Sequence, residues 1–208
     1  MSTVDHLVVA ATTLEEGVRW VEARVGAALL PGGRHEAFGT HNALISLGPE
    51  SYLEVIAVDP DAPPPARPRW FELDTSAMRE RLAAGPALVH WVVRVESLAG
   101  AADVIELRRG SNAWALTVAP DGRMPLGGLA PSRILWRTPP PSTLLPDSGI
   151  RLVELRLSMA APDALASQLA DVDGPMEIVE GPPALAATLT VPSGPGKEGR
   201  LVVLGSVQ

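Results

Sequence analysis

The residues of this chain that could do chemistry are few: four histidines, a glutamate inside an apolar run, and an asparagine beside a histidine. His6 stands in DHLVVAA (residues 5–11), His90 in LVHWVVRVE (88–96), Glu54 inside YLEVIAV (52–58), and Asn42 follows His41 in GTHNALISLG (39–48). An imidazole nitrogen and a carboxylate oxygen together suit a divalent ion such as Zn2+, Ni2+, Mn2+ or Fe2+. His6 and Glu54 are 48 residues apart and Glu54 and His90 are 36 apart, which is no local metal-binding spacing. From the residues alone, the favoured reading of each is therefore a hydrogen-bonded polar group at a sheet edge.

The elements that must position them come next. Alternation along a strand puts His6 on one face with Val8 and Ala10, and Leu7 and Val9 on the other. Glu54 shares a face with Tyr52, Ile56 and Val58; His90 shares one with Val92 and Arg94, opposite Trp91 and Val93. Leu7 and Val9 are the better helix-packing pair, so His6 is expected to face the open side of a sheet. After the first strand, Thr13 and Glu16 form a capping-box pattern, Leu14, Val18, Val21 and Val25 recur at helical spacing, and Gly26 ends the helix. The first fifty-nine residues then read β-α-(short β)-β-β. A proline-rich connector, DPDAPPPARPRW (59–70), and a short helix with Met78 and Leu82 on one side lead to a second strand at 88–96. Ser97 reads as the cap of a helix running to about Arg109, followed by strands AWALTVA and RILWR. TPPPSTLLPDSG connects to a third unit, with a strand at IRLVELRLS, a helix opening at Pro162-Asp163, and strands MEIVEG, ALAATLTV and RLVVLG. The domain reading is a first module over 1–59, linker and short helix over 60–87, and a second module over 88–208. Within the last, 88–137 reads as a strand-helix insertion ahead of a closing βαβββ unit at 150–204.

Composition narrows the function classes. The chain has 208 residues, a net charge of −7 and no cysteine, so disulfides and thiolate metal sites are excluded. Only Lys197 is a lysine, and the dense basic spots, Arg67 to Arg69 and Arg108-Arg109, read as solvated charge. An acidic chain without a basic face is a poor nucleic-acid partner. No run approaches a membrane span and the start of the chain lacks a signal-peptide pattern, so a cytoplasmic protein is expected. The Gly-rich stretches PGGR, MPLGGLAP and PSGPGKEG are not placed between a strand and a helix as a phosphate loop requires. Neither a nucleotide nor a flavin signal is present, nor a Gly-x-Ser-x-Gly.

DHLVVAA, GTHNALISLG and SYLEVIAVD, taken in order, resemble the glyoxalase-like branch of the vicinal-oxygen-chelate superfamily. The resemblance is best over the first sixty residues. It implies an α+β fold of paired βαβββ modules, forming a curved mixed sheet with helices on the outer face and a concave cup for the site. It further implies metal ligands on the first and last strands of each module, which here are His6, Glu54 and His90. The fourth position departs from the pattern, since RLVVLG has no acid or imidazole and ILWR is followed only by Arg137. His90 keeps its role only if the second unit, not the third, pairs with the first. Asn42 is implied as a polar contact to the cup.

Two functions of different class follow. One is a lyase, isomerase or related enzyme in which a divalent ion chelates vicinal oxygens of a small molecule and stabilises an enediolate, with Glu54 as ligand or base. The other is a non-catalytic protein that sequesters a small molecule in the same cup. Trp91, Trp114 and Trp136 are candidates for an apolar wall, and equally for core filling. His35 and His41 are expected to be exposed, and Trp20 to serve packing. The expected partners are a small-molecule ligand or substrate, with a homodimer as the one protein assembly allowed for, and neither nucleic acid nor membrane.

Overall fold

A computed structural model of the protein describes residues 1–193 and 199–205. The opening unit is β1 (Ser2–Ala10), α1 (Leu14–Val25), β2 (Leu30–His35), β3 (Thr40–Ser46) and β4 (Tyr52–Val58). Helix α1 forms where its caps dictate. The Thr13 hydroxyl accepts from the Glu16 amide at 3.2 Å, and Gly26, at φ 70°, turns the chain out of the helix, a conformation glycine adopts without strain. After the linker come a 3-10 turn at Trp70–Glu72, α2 (Ser76–Ala83), β5 (Ala87–Arg94), β6 (Val104–Arg109), β7 (Asn112–Thr117) and β8 (Ser132–Trp136).

Residues 97–109, expected as a helix, form a loop and then strand β6. Gly100 and Asp103 both take positive φ, which breaks a helix at its first turns. Beyond them Ile105, Leu107 and Arg109 recur every second residue, the period of a strand. Gly110 and Ser111 then make a two-residue hairpin that pairs Arg109 with Asn112, a connection suited to the left-handed φ of Gly110.

The eight strands lie in the order β2-β3-β4-β1-β5-β8-β7-β6. In each half the opening strand lies parallel to the last one: β1 beside β4, and β5 beside β8. The halves join antiparallel through β1 and β5. The second module is thus β5 to β8, with a loop where the first module has α1, and it is this unit that pairs with the first.

The third unit comprises β9 (Arg151–Met159), α3 (Pro162–Gln168), β10 (Val172–Asp173), β11 (Met176–Glu180), β12 (Ala184–Val191) and β13 (Arg200–Gly205). Apart from the additional two-residue β10, it shares the element order expected of a repeat but not the pairing. Its sheet runs β11-β9-β12-β13, so the opening strand is internal and the last strand lies at the edge. Strand β10 leaves it to pair with Ser2 and Thr3 of β1. Part of the PSGPGKEG stretch lies outside the described residues.

Two cores result. On the outer face Leu7, Val9, Val21, Val25, Trp91 and Val93 pack with Leu155, Leu157 and Leu189 of the small sheet. On the inner face Val8, Ala10, Ile56, Val92, Trp114 and Ile134 pack with Trp70 and Phe71 of the linker. The alternation read for β1 therefore holds: Val8 and Ala10 face inward, Leu7 and Val9 outward. Helix α1 lies on the outer face, whereas α2 seats Met78 and Leu82 among the inner residues. None of the described helices is long and apolar enough to cross a membrane.

Candidate functional site

The concave face closes into a cup lined by His6, His35, Asn42, Tyr52, Glu54 and Arg109 on its polar side, with Trp70, Phe71, Trp114 and Trp136 among its apolar walls. Its free volume is about 30 Å3, room for about one water. A ligand of any size must therefore displace side chains to enter.

At the base stands Asp5, fully buried. Its carboxylate accepts from His6 Nδ1 at 2.7 Å, Arg94 Nε at 2.8 Å and Trp136 Nε1 at 3.0 Å. Burial alone would raise its pKa. The hydrogen bonds from His6 and Arg94, with the Arg94 charge, outweigh that and hold it below the usual carboxylate value. Neighbouring strand residues normally point to opposite faces, yet Asp5 and His6 meet. The register between β1 and β5 slips between Val4 and His6, and such a bulge re-aims a side chain.

With Nδ1–H committed to Asp5, His6 turns the Nε2 lone pair to the cup, 3.7 Å from Glu54 Oε2. Its ring stacks on Tyr52, with centroids 4.7 Å apart. Burial first, then the charges of Asp5 and Glu54, push the Tyr52 phenol well above its ordinary pKa, so it stays a protonated donor. Glu54 Oε1 accepts from Asn42 Nδ2 at 2.5 Å, and Asn42 Oδ1 accepts from Arg109 Nη1 at 3.1 Å. The amide orientation is fixed at both ends by what its neighbours can donate or accept. Gly32 makes room for this amide, since a Cβ there would meet Asn42 Oδ1 at 2.0 Å. Arg109 Nη1 also donates to His35 Nε2 at 2.9 Å. His35, expected exposed, is buried, and burial together with the Arg109 charge lowers its pKa to about 3. It is therefore a neutral acceptor.

The predicted residues divide. His6, Asn42, Glu54, Trp114 and Trp136 are brought together in the cup. His90 is not: its ring lies against Phe71, and its Nε2 accepts the Ser132 amide at 3.1 Å. That hydrogen bond uses the lone pair a metal would need. Trp91 points to the outer core and donates to the Leu129 carbonyl at 3.0 Å. Among the described residues no group of three or more His, Cys, Asp or Glu is placed to hold a metal ion. The donor set at the cup is His6 Nε2 and Glu54, with a guanidinium close behind Asn42. That set does not fit the three-ligand centre of a catalytic divalent ion.

Asp5, His35, Tyr52, Trp70, Phe71 and Arg109 are the lining or supporting residues that sequence reasoning passed over. Arg109 was recoverable from the Ile105-Leu107-Arg109 alternation, and Tyr52 from its shared face with Glu54. Nothing local marked Asp5, because its role depends on the bulge. Trp70 and Phe71 sit at the end of a proline-rich connector, where Phe71 takes a left-handed φ of 56° that no sequence pattern announces.

The fold around this cup has a counterpart among known proteins. The profile of the glyoxalase-like domain matches residues 4–172. The chain belongs to that family. With it the chain joins the vicinal-oxygen-chelate superfamily, and its curved sheet of paired modules is the glyoxalase fold. No curated protein matches. Among solved structures, a hypothetical protein from Staphylococcus aureus aligns with a TM-score of 0.57 at 14% identity, covering 98% of this chain and 90% of that one. Methylmalonyl-CoA epimerase from Mycobacterium tuberculosis aligns at 0.41 and 17% identity, over 66% and 89% of the two chains. A variant of the Streptomyces coelicolor methylmalonyl-CoA epimerase in complex with 2-nitronate-propionyl-CoA aligns at 0.38 and 20%, over 64% and 92%.

Proposed function

We propose that this glyoxalase-like protein is a small-molecule enzyme that moves a proton at a carbon next to a carbonyl, using the Asp5–His6 pair as its base. The observation that carries the reading is the 2.7 Å hydrogen bond from His6 Nδ1 to a buried, ionised Asp5. It sets the tautomer, so that the Nε2 lone pair faces the cup, and it stabilises the imidazolium that forms on proton uptake. Glu54 lies 3.7 Å from that nitrogen. The Glu54 carboxylate faces the imidazolium at that distance, and His6 Nε2 returns its proton to the adjacent atom on the same face of the substrate. Tyr52, held protonated, is the neutral donor available to the developing oxyanion. No step is assigned to a metal, because the donor set does not fit one.

The test is solvent deuterium exchange into 2-oxo and 3-oxo acids and their thioesters, followed by proton NMR. Exchange catalysed by the wild type, reduced at least about 100-fold in His6→Ala and unaffected by chelator, is the expected result. Absence of exchange across the panel refutes the enzyme reading. Binding of the same compounds without exchange would instead favour sequestration, the reading that the aromatic wall of Trp70, Phe71, Trp114 and Trp136 supports.

A further inference from the structure

The cup holds one cation that the proton-transfer scheme leaves unused. Arg109 reaches in from β6, the far edge of the sheet, to residues of β2 and β3 at the opposite edge. Both of its contacts there, His35 Nε2 and Asn42 Oδ1, are neutral. Among the described residues Arg109 makes no ion pair with a carboxylate. The contrast within the same sheet is plain: Arg94 is held by Asp5, Arg133 by Asp171 and Arg137 by Glu106. A guanidinium resting on neutral acceptors can leave them without stranding a charge. It also gains far more from a carboxylate, which it can grip with two parallel N–H donors.

Its place is suited to that task. Arg109 lines the cup behind Asn42, which joins it to Glu54, and Trp114 and Trp136 are among the other walls. The cup has little free volume, so a ligand must shift a side chain to enter, and the Arg109 guanidinium is held by neutral acceptors that it can exchange for a carboxylate.

We infer that Arg109 is the carboxylate-recognition residue of this site, and that the substrates are oxo acids whose carboxylate pairs with Arg109 while an apolar body lies along Trp114 and Trp136. This rests on the proposed function for the position of the reacting carbon, but not for the recognition itself. On binding, the guanidinium releases His35 and Asn42 and takes the carboxylate. Asn42 keeps its bond to Glu54 through Nδ2, so recognition leaves the carboxylate facing His6 in place.

The experiment is equilibrium binding read by tryptophan fluorescence, since Trp70, Trp114 and Trp136 line the cup. A series of 2-oxo and 3-oxo carboxylates of three to ten carbons is compared, compound by compound, with the methyl esters. The wild type should bind the acids about tenfold or more tighter than the esters, with a preference that weakens as salt rises. Arg109→Met should abolish the preference with ester affinity little changed, and Arg109→Lys should restore part of it. Circular dichroism confirms that each variant is folded. Equal affinity for acid and ester in the wild type, no binding of any acid at millimolar concentration, or a preference that survives in Arg109→Met each overturns the inference. Acid preference persisting in His6→Ala while exchange is lost supports recognition by Arg109 independently of catalysis. Exchange without acid preference refutes the recognition alone, and preference without exchange refutes the catalytic reading alone.

Discussion

Asp5→Asn is the sharpest single perturbation of the site. The wild-type carboxylate accepts three hydrogen bonds in a fully buried position, from His6, Arg94 and Trp136. An asparagine amide has one oxygen able to accept two of them, and its NH2 must then confront the third donor. Arg94 also loses the charge it faces, at a position where its own side chain is only 24% exposed. Breaking one partner of a buried ion pair costs about 3–5 kcal/mol, and the unpaired donor lies within that range rather than adding to it. For a chain of this length about 4 kcal/mol lowers Tm by roughly 8–16 °C. Urea denaturation gives the energy, and the 15N shifts of the His6 ring give the tautomer. In the wild type the proton should sit on Nδ1; in Asp5→Asn the two tautomers should mix and deuterium exchange should fall. A loss below about 1 kcal/mol with an unchanged His6 tautomer would refute the claim that Asp5 orients the base.

Two further outcomes are expected. His35 and His90 both have pKa values lowered to about 3, by burial first, so both are neutral in the fold and take up a proton on unfolding below about 6.5. Their contribution to stability is complete above that value and is lost as pH falls toward 3, with a slope of about 1.4 kcal/mol per pH unit for each histidine. Urea midpoints between pH 6 and 4.5 should show His90→Gln with a shallower slope by about that amount, and coincident slopes would contradict the assignment. Gly32→Ala should drive the Asn42 amide off Glu54, costing about 1–3 kcal/mol and lowering exchange activity. An unmoved Asn42 side-chain amide signal in the NMR spectrum would contradict that.

Much of the first module is legible in the sequence because its signals are local. The Thr13 cap, the Gly26 stop and the alternation in DHLVVAA and YLEVIAV each depend on a few neighbouring residues, and they bring His6, Glu54 and Asn42 to one face. The second module is less legible because VIELRR carries both apolar and charged residues at spacings a helix could also use. The Gly110-Ser111 hairpin, read together with the Ile105-Leu107-Arg109 alternation, decides for a strand, and with it the inward direction of Arg109. Pairing between distant segments escapes local reading altogether. The Ser132 amide that takes up His90 Nε2 lies 42 residues away, and the bulge that joins Asp5 to His6 is a property of two strands rather than one. The third unit shows the same limit, since its element order, β10 apart, matches a repeat while its hydrogen-bonded neighbours do not.

Strand β1 has one more neighbour whose consequence concerns how the chain comes to be folded. Residues 2 and 3 pair with residues 172 and 173, and the Ser2 hydroxyl donates to Asp171 at 2.8 Å. One edge of strand β1 is thus completed by a segment that begins 169 residues further along. On a ribosome, Thr3 can pair with Arg94 of β5 on one side while its other edge stays open until that segment emerges, and closing so large a loop makes this docking step slow relative to the local α1 and hairpin steps. Strand β1 is thus a seam between an early and a late segment of the fold.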